Sequence, residues 1–553
     1  MATKQLSLTL SALLALGATL IAANAGAATR TGYIVEAHGA AASAASAASA
    51  AQAVRHVGGH VTHELPIING VSAMLTPAQV AKLKKDRRLD LFADTSVTTQ
   101  GAPVIDKYDR AFIGADLLAA QGFYGNGVTI AVVDTGLWYT ASNVATDMSG
   151  NNKILAMYDA IAGVVQSTPD GNGHGSHIAS IIGSPNTSID GKPLGIAPMA
   201  KLVGVKAFDN IGAGSYANVI NGLNWIFANK RTYNIRVVNL SFGAPPQSYY
   251  WNDPIDQAVM KLWQAGIVVV ASAGNSGPAE QTISVPGNTP YAITVGAMTD
   301  NWTPSNPAGH GIASFSSTGP TVEGFVKPEV VAPGGHLIGY ILDEDTSWIA
   351  EHHREFMAAD NTFVMSGTSQ SAAVVSGAVA LMLQANPSLT PDQVKCRLMA
   401  SASSLLNSSS KAAYSIFQQG TGMVNAYDAV YSQAANCANQ GLDIAADLAG
   451  TRHFAGPAQQ DPATGLFYVI DVSGNRVGED GYLWNKSFAK NQGYLWNKGY
   501  LWNKGYLWNQ GYLWNKGYLW NKAYLWNKGY LWNQSTVTPA SAPTATESWN
   551  LQE

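Results

Sequence analysis

Five short runs of consecutive apolar residues stand out between positions 101 and 437, each rich in valine, isoleucine or alanine. They are VTIAVVD at 128–134, KLVGV at 201–205, RVVNLSF at 236–242, GIVVVAS at 266–272 and AITVGA at 292–297. Segments with a helical pattern lie between them, such as 215–230 and 253–266. Continuous apolar strands that alternate with helices predict an α/β domain, with a mostly parallel sheet covered by helices on both faces.

Residues 28–100 have a different pattern and predict a small separate α+β unit with the order β-α-β-β-α-β. Its first helix candidate is alanine-rich, and alanine is the best helix former. Asn69-Gly70 is a hairpin signal between two strand candidates. The second helix is expected to begin at Thr76 as N-cap, with Pro77 at its first position.

The two ends of the chain differ from both units. Lys4, an apolar run and small residues up to position 27 predict a secretory signal peptide over 1–27, with a membrane anchor as the alternative. Eight copies or close variants of GYLWNK fill 481–534, with 438–480 as a linker before them and a disordered tail at 535–553. An even period of six keeps the faces of a strand consistent, so the repeats are expected to be β-rich or disordered.

The charge and the cysteine content give limited information about function and covalent structure. The formal net charge is −4 and 12% of the residues are charged, which gives no electrostatic case for nucleic-acid binding. In an oxidising compartment the two cysteines, Cys396 and Cys437, can form one disulfide. Two buried free thiols are the alternative.

Two segments contain polar residues that suggest chemistry. Asp134 ends the first run, where an acid is either a turn residue or a catalytic group, and ligands of such sheets bind at this end of the strands. No second D-T-G triplet is present, which argues against an aspartic protease. In GNGHGSHIAS, His174 and His177 are either a catalytic base with a structural neighbour or a pair of zinc ligands.

Two further positions, Ser369 and Asn275, could stabilise a negative charge that develops during a reaction. Ser369 stands at the start of a long apolar helix, where it is either an N-cap or a nucleophile beside the positive end of the helix. Asn275, in ASAGNSGP, is either a turn residue or an amide donor to an oxyanion.

Taken together, these four positions resemble the subtilisin-like serine proteases, through both their chain order and the segments V-V-D-T-G, H-G-S-H-I-A, A-S-A-G-N-S-G and S-G-T-S. The resemblance covers about residues 101–437 and implies a subtilisin-like peptidase domain. It implies a secreted endopeptidase that hydrolyses peptide bonds in proteins through Asp134, His174 and Ser369, with Asn275 in the oxyanion hole. The first histidine of the family motif is the base, which leaves His177 structural.

The resemblance also implies a substrate cleft in which an extended peptide adds a strand between two edges. Residues that would bind substrate are Ser241, Phe242 and Gly243 on one edge, Gly212, Ala213 and Gly214 on the other, and Ser272 and Gly274 around the first pocket. Ser284 would also shape that pocket. None of these residues is acidic, so neutral P1 side chains are expected over lysine or arginine.

Residues 28–100 would then be an inhibitory propeptide, which the enzyme removes near Val97–Gln100; a stable accessory domain is the alternative. No metal or other cofactor is required for the chemistry. Calcium could bind at the loop that contains Asn186 and Asp190, although ligands cannot be counted from sequence.

The sequence departs from the family pattern at several places. Ser176 and Ser180 stand where threonine and glycine are usual, and Gln370, Ser371 and Ala373 follow the serine where methionine, alanine and proline are usual. A long insert precedes Ser369.

An inert protease fold whose repeats bind a ligand is the competing hypothesis. For the repeats themselves, a structural extension, an aromatic and lysine-rich surface for cell-envelope polymers, and, least favoured, nucleic-acid stacking all stay open.

Overall fold

A computed structural model describes residues 30–38, 44–99, 110–188, 191–301, 310–341, 346–357, 361–407 and 411–470, with 474, 476–477 and 500–501. The predicted signal peptide, the tail after residue 534 and all of the repeat tract except Tyr500 and Leu501 lie outside these residues. The chain forms two compact units, Met1–His38 with Ser43–Asp94 and Gly39–Ala42 with Thr95–Glu553. No helix in the described part of the chain has the length and apolar character of a membrane span.

The first unit has the predicted order of elements. They are β1 Thr31–Ala37, α1 Ala44–His56, β2 His60–Leu65, β3 Gly70–Leu75, α2 Pro77–Leu83 and β4 Leu89–Ala93. The strands form an antiparallel sheet in the order β2-β3-β1-β4. Asn69 adopts a left-handed conformation, φ 59°, before β3. Thr76 and Gln79 form a capping box at α2, as Thr76-Pro77 predicts.

The second unit contains the larger sheet and most of the short strands. Its strands are β5 Ser96–Thr99, β6 Thr129–Asp134, β7 Ile154–Asp159, β8 Val164–Val165, β9 Lys201–Lys206, β10 Ala213–Ser215, β11 Ile235–Leu240, β12 Phe242–Gly243, β13 Val268–Ser272, β14 Ile293–Thr299, β15 Gly311–Ile312, β16 Val330–Pro333, β17 Leu337–Tyr340, β18 Thr362–Met365, β19 Phe454–Ala455, β20 Ala458–Gln460, β21 Phe467–Ile470, β22 Arg476–Val477 and β23 Tyr500–Leu501.

Nine of these strands form one twisted sheet in the order β15-β14-β13-β11-β6-β9-β7-β8, with β16 paired to β14. All its pairs are parallel except β14–β15 and β7–β8 at the edges. The five apolar runs form β6, β9, β11, β13 and β14, and β6 is buried at every residue. The predicted α/β architecture with a mostly parallel sheet is therefore confirmed.

The helices of this unit include two long ones that begin at side-chain caps. The helices are α3 Ala115–Ala119, α4 Ser142–Ala145, α5 His174–Gly183, α6 Tyr216–Asn229, α7 Pro254–Gln264, α8 Trp348–His352, α9 Thr368–Ala385, α10 Pro391–Ser401, α11 Ile416–Gln419, α12 Ala426–Tyr431 and α13 Ile444–Leu448. Ser215 caps α6 and Asp253 caps α7, with Pro254 at the first helical position. Helix α9 is buried from Thr368 to Leu383 and packs against α5.

The segment from Cys437 to residue 470 is linked to the domain with the larger sheet by a disulfide and by hydrogen bonds. Cys396 of α10 and Cys437 form a disulfide with a Cα–Cα distance of 5.1 Å, so the pairing considered from sequence is present. Within the range predicted as a linker, α13 supplies Asp447, whose buried carboxylate accepts hydrogen bonds from the hydroxyls of Tyr250 and Tyr291 at 3.0 and 2.8 Å. Residues 438–470 therefore contact the domain that contains the larger sheet.

The insert before Ser369 forms a small subdomain beside α5. Strands β17 and β18 pair antiparallel, and α8 lies between them in the chain. The Tyr340 N–H donates to the Ser180 hydroxyl at 2.9 Å, and the Ser347 hydroxyl donates to the Asn172 carbonyl at 2.7 Å. The serine at position 180, unusual for the family, is therefore part of the contact that holds this insert.

Candidate active site

The ends of neighbouring parallel strands bring the polar residues together. Leu240 of β11 is paired with Val133 of β6, so the next residues along the two strands, Ser241 and Asp134, emerge side by side. The Ser369 hydroxyl donates a hydrogen bond to the Ser241 carbonyl at 3.0 Å, and the Ser241 hydroxyl donates to the Ser369 carbonyl at 3.0 Å. Strand pairing therefore places the start of α9 beside the end of β6.

Asp134 and His174 form a close buried pair. His174 Nδ1 lies 2.7 Å from Asp134 Oδ1, and the two side chains are 1% and 0% exposed. Asp134 Oδ1 also accepts from the Thr135 N–H at 2.8 Å, which fixes the carboxylate. With the proton on Nδ1 donated to this carboxylate, the other ring nitrogen, Nε2, is left as the basic atom of a neutral imidazole.

Gly175 permits the close approach of α5 to β6. A Cβ atom at position 175 would collide with the Gly136 carbonyl oxygen and lie 3.1 Å from the Asp134 Cβ. Position 175 therefore requires glycine for steric reasons, because any larger residue would push α5 away from Asp134.

Asp170 organises the start of α5, and sequence reasoning missed it. Its Oδ1 accepts from the Thr135 hydroxyl at 2.7 Å and from the Gly173 N–H at 2.9 Å, and its Oδ2 accepts from the Ser176 hydroxyl at 2.7 Å. The side chain is fully buried. Asp170 thus ties the helix bearing His174 to the turn after Asp134, and the hydroxyl of Ser176 performs this role in place of the usual threonine. The available signal was an acidic residue four positions before the first histidine of the motif.

His177 occupies a structural position one helical turn further on. Its Nε2 lies 3.1 Å from the Phe363 carbonyl oxygen of β18, and a Cβ atom on Gly339 would meet its ring. Burial, with a smaller contribution from the nearby His174, lowers the pKa of His177 to about 3. A neutral, fully buried imidazole between α5 and the insert is unsuited to accepting a proton at neutral pH.

Asn275 is oriented by the residue before the serine. Its Oδ1 accepts from the Thr368 N–H at 3.0 Å and from the Thr368 hydroxyl at 2.8 Å. Because the amide oxygen is engaged on this side, the Nδ2 group is directed elsewhere as a donor. Asn275 itself is half-buried.

The residues predicted to bind substrate form the walls of a cleft that holds part of this chain. Strand β5 lies between β10 and β12 and pairs antiparallel with both. Thr98 faces Ala213 and Gly243, and Thr99 faces Phe242. Residues 213–215 and 242–243 therefore pair with an extended segment of the chain, and their role in binding substrate stays a prediction.

Ser272 and Gly274 lie beside this cleft. The Ser272 hydroxyl donates to the Phe242 carbonyl at 3.0 Å. Gly274 has a φ of +111°, and a Cβ atom there would lie 3.0 Å from the Ser284 hydroxyl oxygen. A side chain at position 274 would therefore crowd the hydroxyls of Ser284 and Ser317.

The residues considered from sequence as zinc or calcium ligands make other contacts where the structure describes them. In the described part of the chain no three histidine, cysteine, aspartate or glutamate side chains gather as a metal site. His174 and His177 face different partners, Asp134 and Phe363. For calcium, Asn186 donates to the Tyr340 hydroxyl at 2.8 Å, and Asp190 lies outside the described residues, so that site stays a prediction.

Comparison with known proteins gives matches along the same region. The family model described as the subtilase family matches residues 125–426. Serine protease AprX of Bacillus subtilis is 36% identical over 347 residues, which cover 59% of this chain and 73% of that protein. Subtilisin E of the same organism is 31% identical over 372 residues, 66% of this chain and 82% of its own.

A solved structure shows the same fold at lower identity. It is that of fervidolysin from Fervidobacterium pennivorans, a keratinolytic enzyme related to subtilisin, with a TM-score of 0.59 and 21% identity. The match covers 83% of this chain and 69% of that one.

Proposed function

Since this chain belongs to the subtilase family and is a serine peptidase that hydrolyses peptide bonds, we propose that it acts as a secreted endopeptidase made as a self-processed precursor. Asp134, His174 and Ser369 are its triad and Asn275 is its oxyanion donor. The observation that carries this assignment is the buried 2.7 Å contact between His174 and Asp134 at the strand end beside Ser369.

The geometry supports a mechanism in which each group has one task. His174 takes the proton from Ser369 as its hydroxyl attacks the peptide carbonyl, and Asp134 stabilises the imidazolium that forms. The Nδ2 group of Asn275 and the backbone N–H of Ser369 bind the oxyanion. His174 then gives its proton to the leaving amine, and water releases the acyl group by the reverse sequence.

The register of β5 supports self-processing at one particular bond. Thr99 is paired with Phe242, so an antiparallel chain continued by one residue would face Ser241, whose carbonyl accepts from the Ser369 hydroxyl. Gln100 follows Thr99 in the sequence. The bond from Gln100 to Gly101 is therefore the expected cleavage site, and residues 28–100 act as the inhibitory propeptide.

N-terminal sequencing of the protein beside Ser369→Ala tests this proposal. The wild type is expected to begin at Gly101, and the variant is expected to keep residues 28–100 attached, since the alanine cannot attack. Equal trimming of both proteins would show that another peptidase removes the segment. Adding active wild type to the variant then separates cleavage within one molecule from cleavage between molecules.

For location and further partners, the signal-like N-terminus and the GYLWNK tract support the proposal of an exported enzyme that associates with the cell envelope. The tract has seven lysines, no acidic residue and eight of the chain's 15 tryptophans, a composition suited to anionic sugar polymers. Retention of full-length Ser369→Ala on purified envelope polymer, compared with the same protein ending at residue 480, tests this. Equal retention of the two would leave the repeats as a structural extension.

A further inference from the structure

The insert that contains β17, α8 and β18 contacts three successive parts of the segment that carries the proposed catalytic base. Its Tyr340 N–H donates to the Ser180 hydroxyl in the second half of α5, and its Phe363 carbonyl oxygen lies 3.1 Å from the His177 ring nitrogen Nε2. The third part is the loop directly before α5, at residues 171–173. That third contact lies next to the base itself.

Three donors at the start of α8 converge on two carbonyl groups of this loop. The Trp348 N–H donates to the Gly171 carbonyl at 2.9 Å, and the Ile349 N–H donates to the Asn172 carbonyl at 3.0 Å. The Ser347 hydroxyl donates to the same Asn172 carbonyl at 2.7 Å. Ser347 and Asn172 are each 2% exposed. Hydrogen bonds are electrostatically stronger in such water-poor surroundings, so the loop is held firmly.

Asn172 transmits this restraint to the first residue of α5. Its Oδ1 accepts from the His174 N–H at 3.2 Å, and its Nδ2 group donates to the Asn210 carbonyl at 3.1 Å. The backbone of Asn172 is therefore held by the insert and its side chain by the loop after β9. A shift of Asn172 would move the N-terminus of α5, and with it the imidazole that contacts Asp134.

Gly173 brings the loop and the insert into close contact. Its φ is +105°, a left-handed conformation that favours glycine. A Cβ atom at position 173 would collide with the Ser347 hydroxyl oxygen. Ser347 therefore lies against the backbone of the residue that directly precedes the base, while its hydroxyl bonds to the residue before that.

We propose that Ser347 is a positioning residue, which holds residues 171–173, and through them the imidazole of His174, in the orientation that proton transfer requires. The inference rests on the proposed function, because it concerns the base of the proposed triad. Rates depend steeply on such orientation, since a misplacement of about 1 Å can lower a rate about a hundredfold. The insert, which departs from the family pattern, thus supports the chemical step.

The test is the hydrolysis of acetyl-Val-Thr-Thr-Gln-p-nitroanilide, which carries the sequence of residues 97–100, by Ser347→Ala whose propeptide an unrelated endopeptidase has removed. Its kcat is expected to fall about tenfold, which corresponds to one net hydrogen bond, since the Ile349 N–H still holds the Asn172 carbonyl. KM is expected to change little, because the substitution leaves strands β10 and β12 unaltered. The kcat is expressed per serine that a fluorophosphonate labels at completion, so partial misfolding cancels.

Tyr340→Phe is the matched control, because it also removes one side-chain hydrogen bond between the insert and the same segment. The Tyr340 hydroxyl accepts from the Asn186 Nδ2 group at 2.8 Å, beyond the end of α5 at Gly183. Both variants are expected to unfold at a slightly lower temperature than the wild type. Only Ser347→Ala is expected to lose kcat, because only its lost bond lies beside the base.

An unchanged kcat in Ser347→Ala, or an equal loss of kcat in both variants, would overturn the inference and leave the peptidase assignment intact. A rise in KM as large as the fall in kcat would also contradict it, because the effect would then lie in substrate binding. Wild-type protein that fails to hydrolyse the peptide would instead overturn the proposed function, which makes this sequence the enzyme's own cleavage site.

Discussion

Replacing His174 by alanine is expected to lower kcat about a million-fold, whereas replacing His177 by glutamine should leave kcat within a few-fold of the wild type. The size of the first effect is the one already measured for the corresponding change in subtilisin, so it is not an independent estimate. What the structure predicts is the difference in kcat between the His174 and His177 variants. His174 contacts Asp134, while His177 contacts a backbone carbonyl of the insert.

The comparison requires that the propeptide be removed from every variant by another enzyme. Strand β5 lies between the two cleft strands β10 and β12, and an inactive variant would not remove it by itself. Each variant would carry a cleavage site for an unrelated endopeptidase after Gln100, and that peptidase would be removed before assay. His177→Gln is expected to lose stability, since the neutral imidazole it replaces is fully buried. A His177 variant that folds but is as inactive as the His174 variant would contradict the assignment.

Replacing Asp134 by asparagine is expected to lower kcat about ten-thousand-fold with little change in KM. The carboxylate is fully buried and 2.7 Å from His174, so its charge stabilises the imidazolium in a medium of low dielectric constant. An amide keeps the shape and removes the charge. The substrate edges 212–214 and 241–243 are untouched, which is why binding should persist.

Asp147→Asn is the matched control for that experiment. Asp147 is also buried and paired, with Lys201 at 2.9 Å, but Lys201 lies opposite Thr129, at the other end of β6 from Asp134. Its variant should lose stability and keep kcat. Asp134→Asn with a kcat within tenfold of the wild type would show that the aspartate does not support the base.

The parallel sheet could be predicted because each of its central strands is marked by a short apolar run in the sequence. Strands buried on both faces need unbroken apolar runs, and β6, β9, β11, β13 and β14 each have one. Asp134, His174, Asn275 and Ser369 could be proposed from the sequence because each stands in a short motif near a strand end or a helix start. The small N-terminal unit was found for similar reasons, through an alanine-rich helix, a turn and a capping box.

The features that escaped prediction depend on contacts between distant parts of the chain. Asp170 stands in a loop without periodicity, and its role comes from its bonds to Thr135 and Ser176. The loop that contains Glu323 is held by residues far along the sequence, through the hydrogen bond from the Gly456 N–H to the Glu323 carbonyl at 2.8 Å. Gly456 belongs to the range predicted as a linker. The hydrophobic pattern of the sequence carries no information about such long-range contacts.

Labelling with a fluorophosphonate tests the central claim most directly, because the reagent reacts with a serine that a neighbouring base activates. The protein freed of its propeptide is incubated with the reagent, digested and mapped by mass spectrometry. One adduct on Ser369 is predicted, absent from Ser369→Ala and strongly slowed in His174→Ala. An unlabelled Ser369 in correctly folded, propeptide-free protein would contradict the proposed convergence of these residues on one reacting carbonyl.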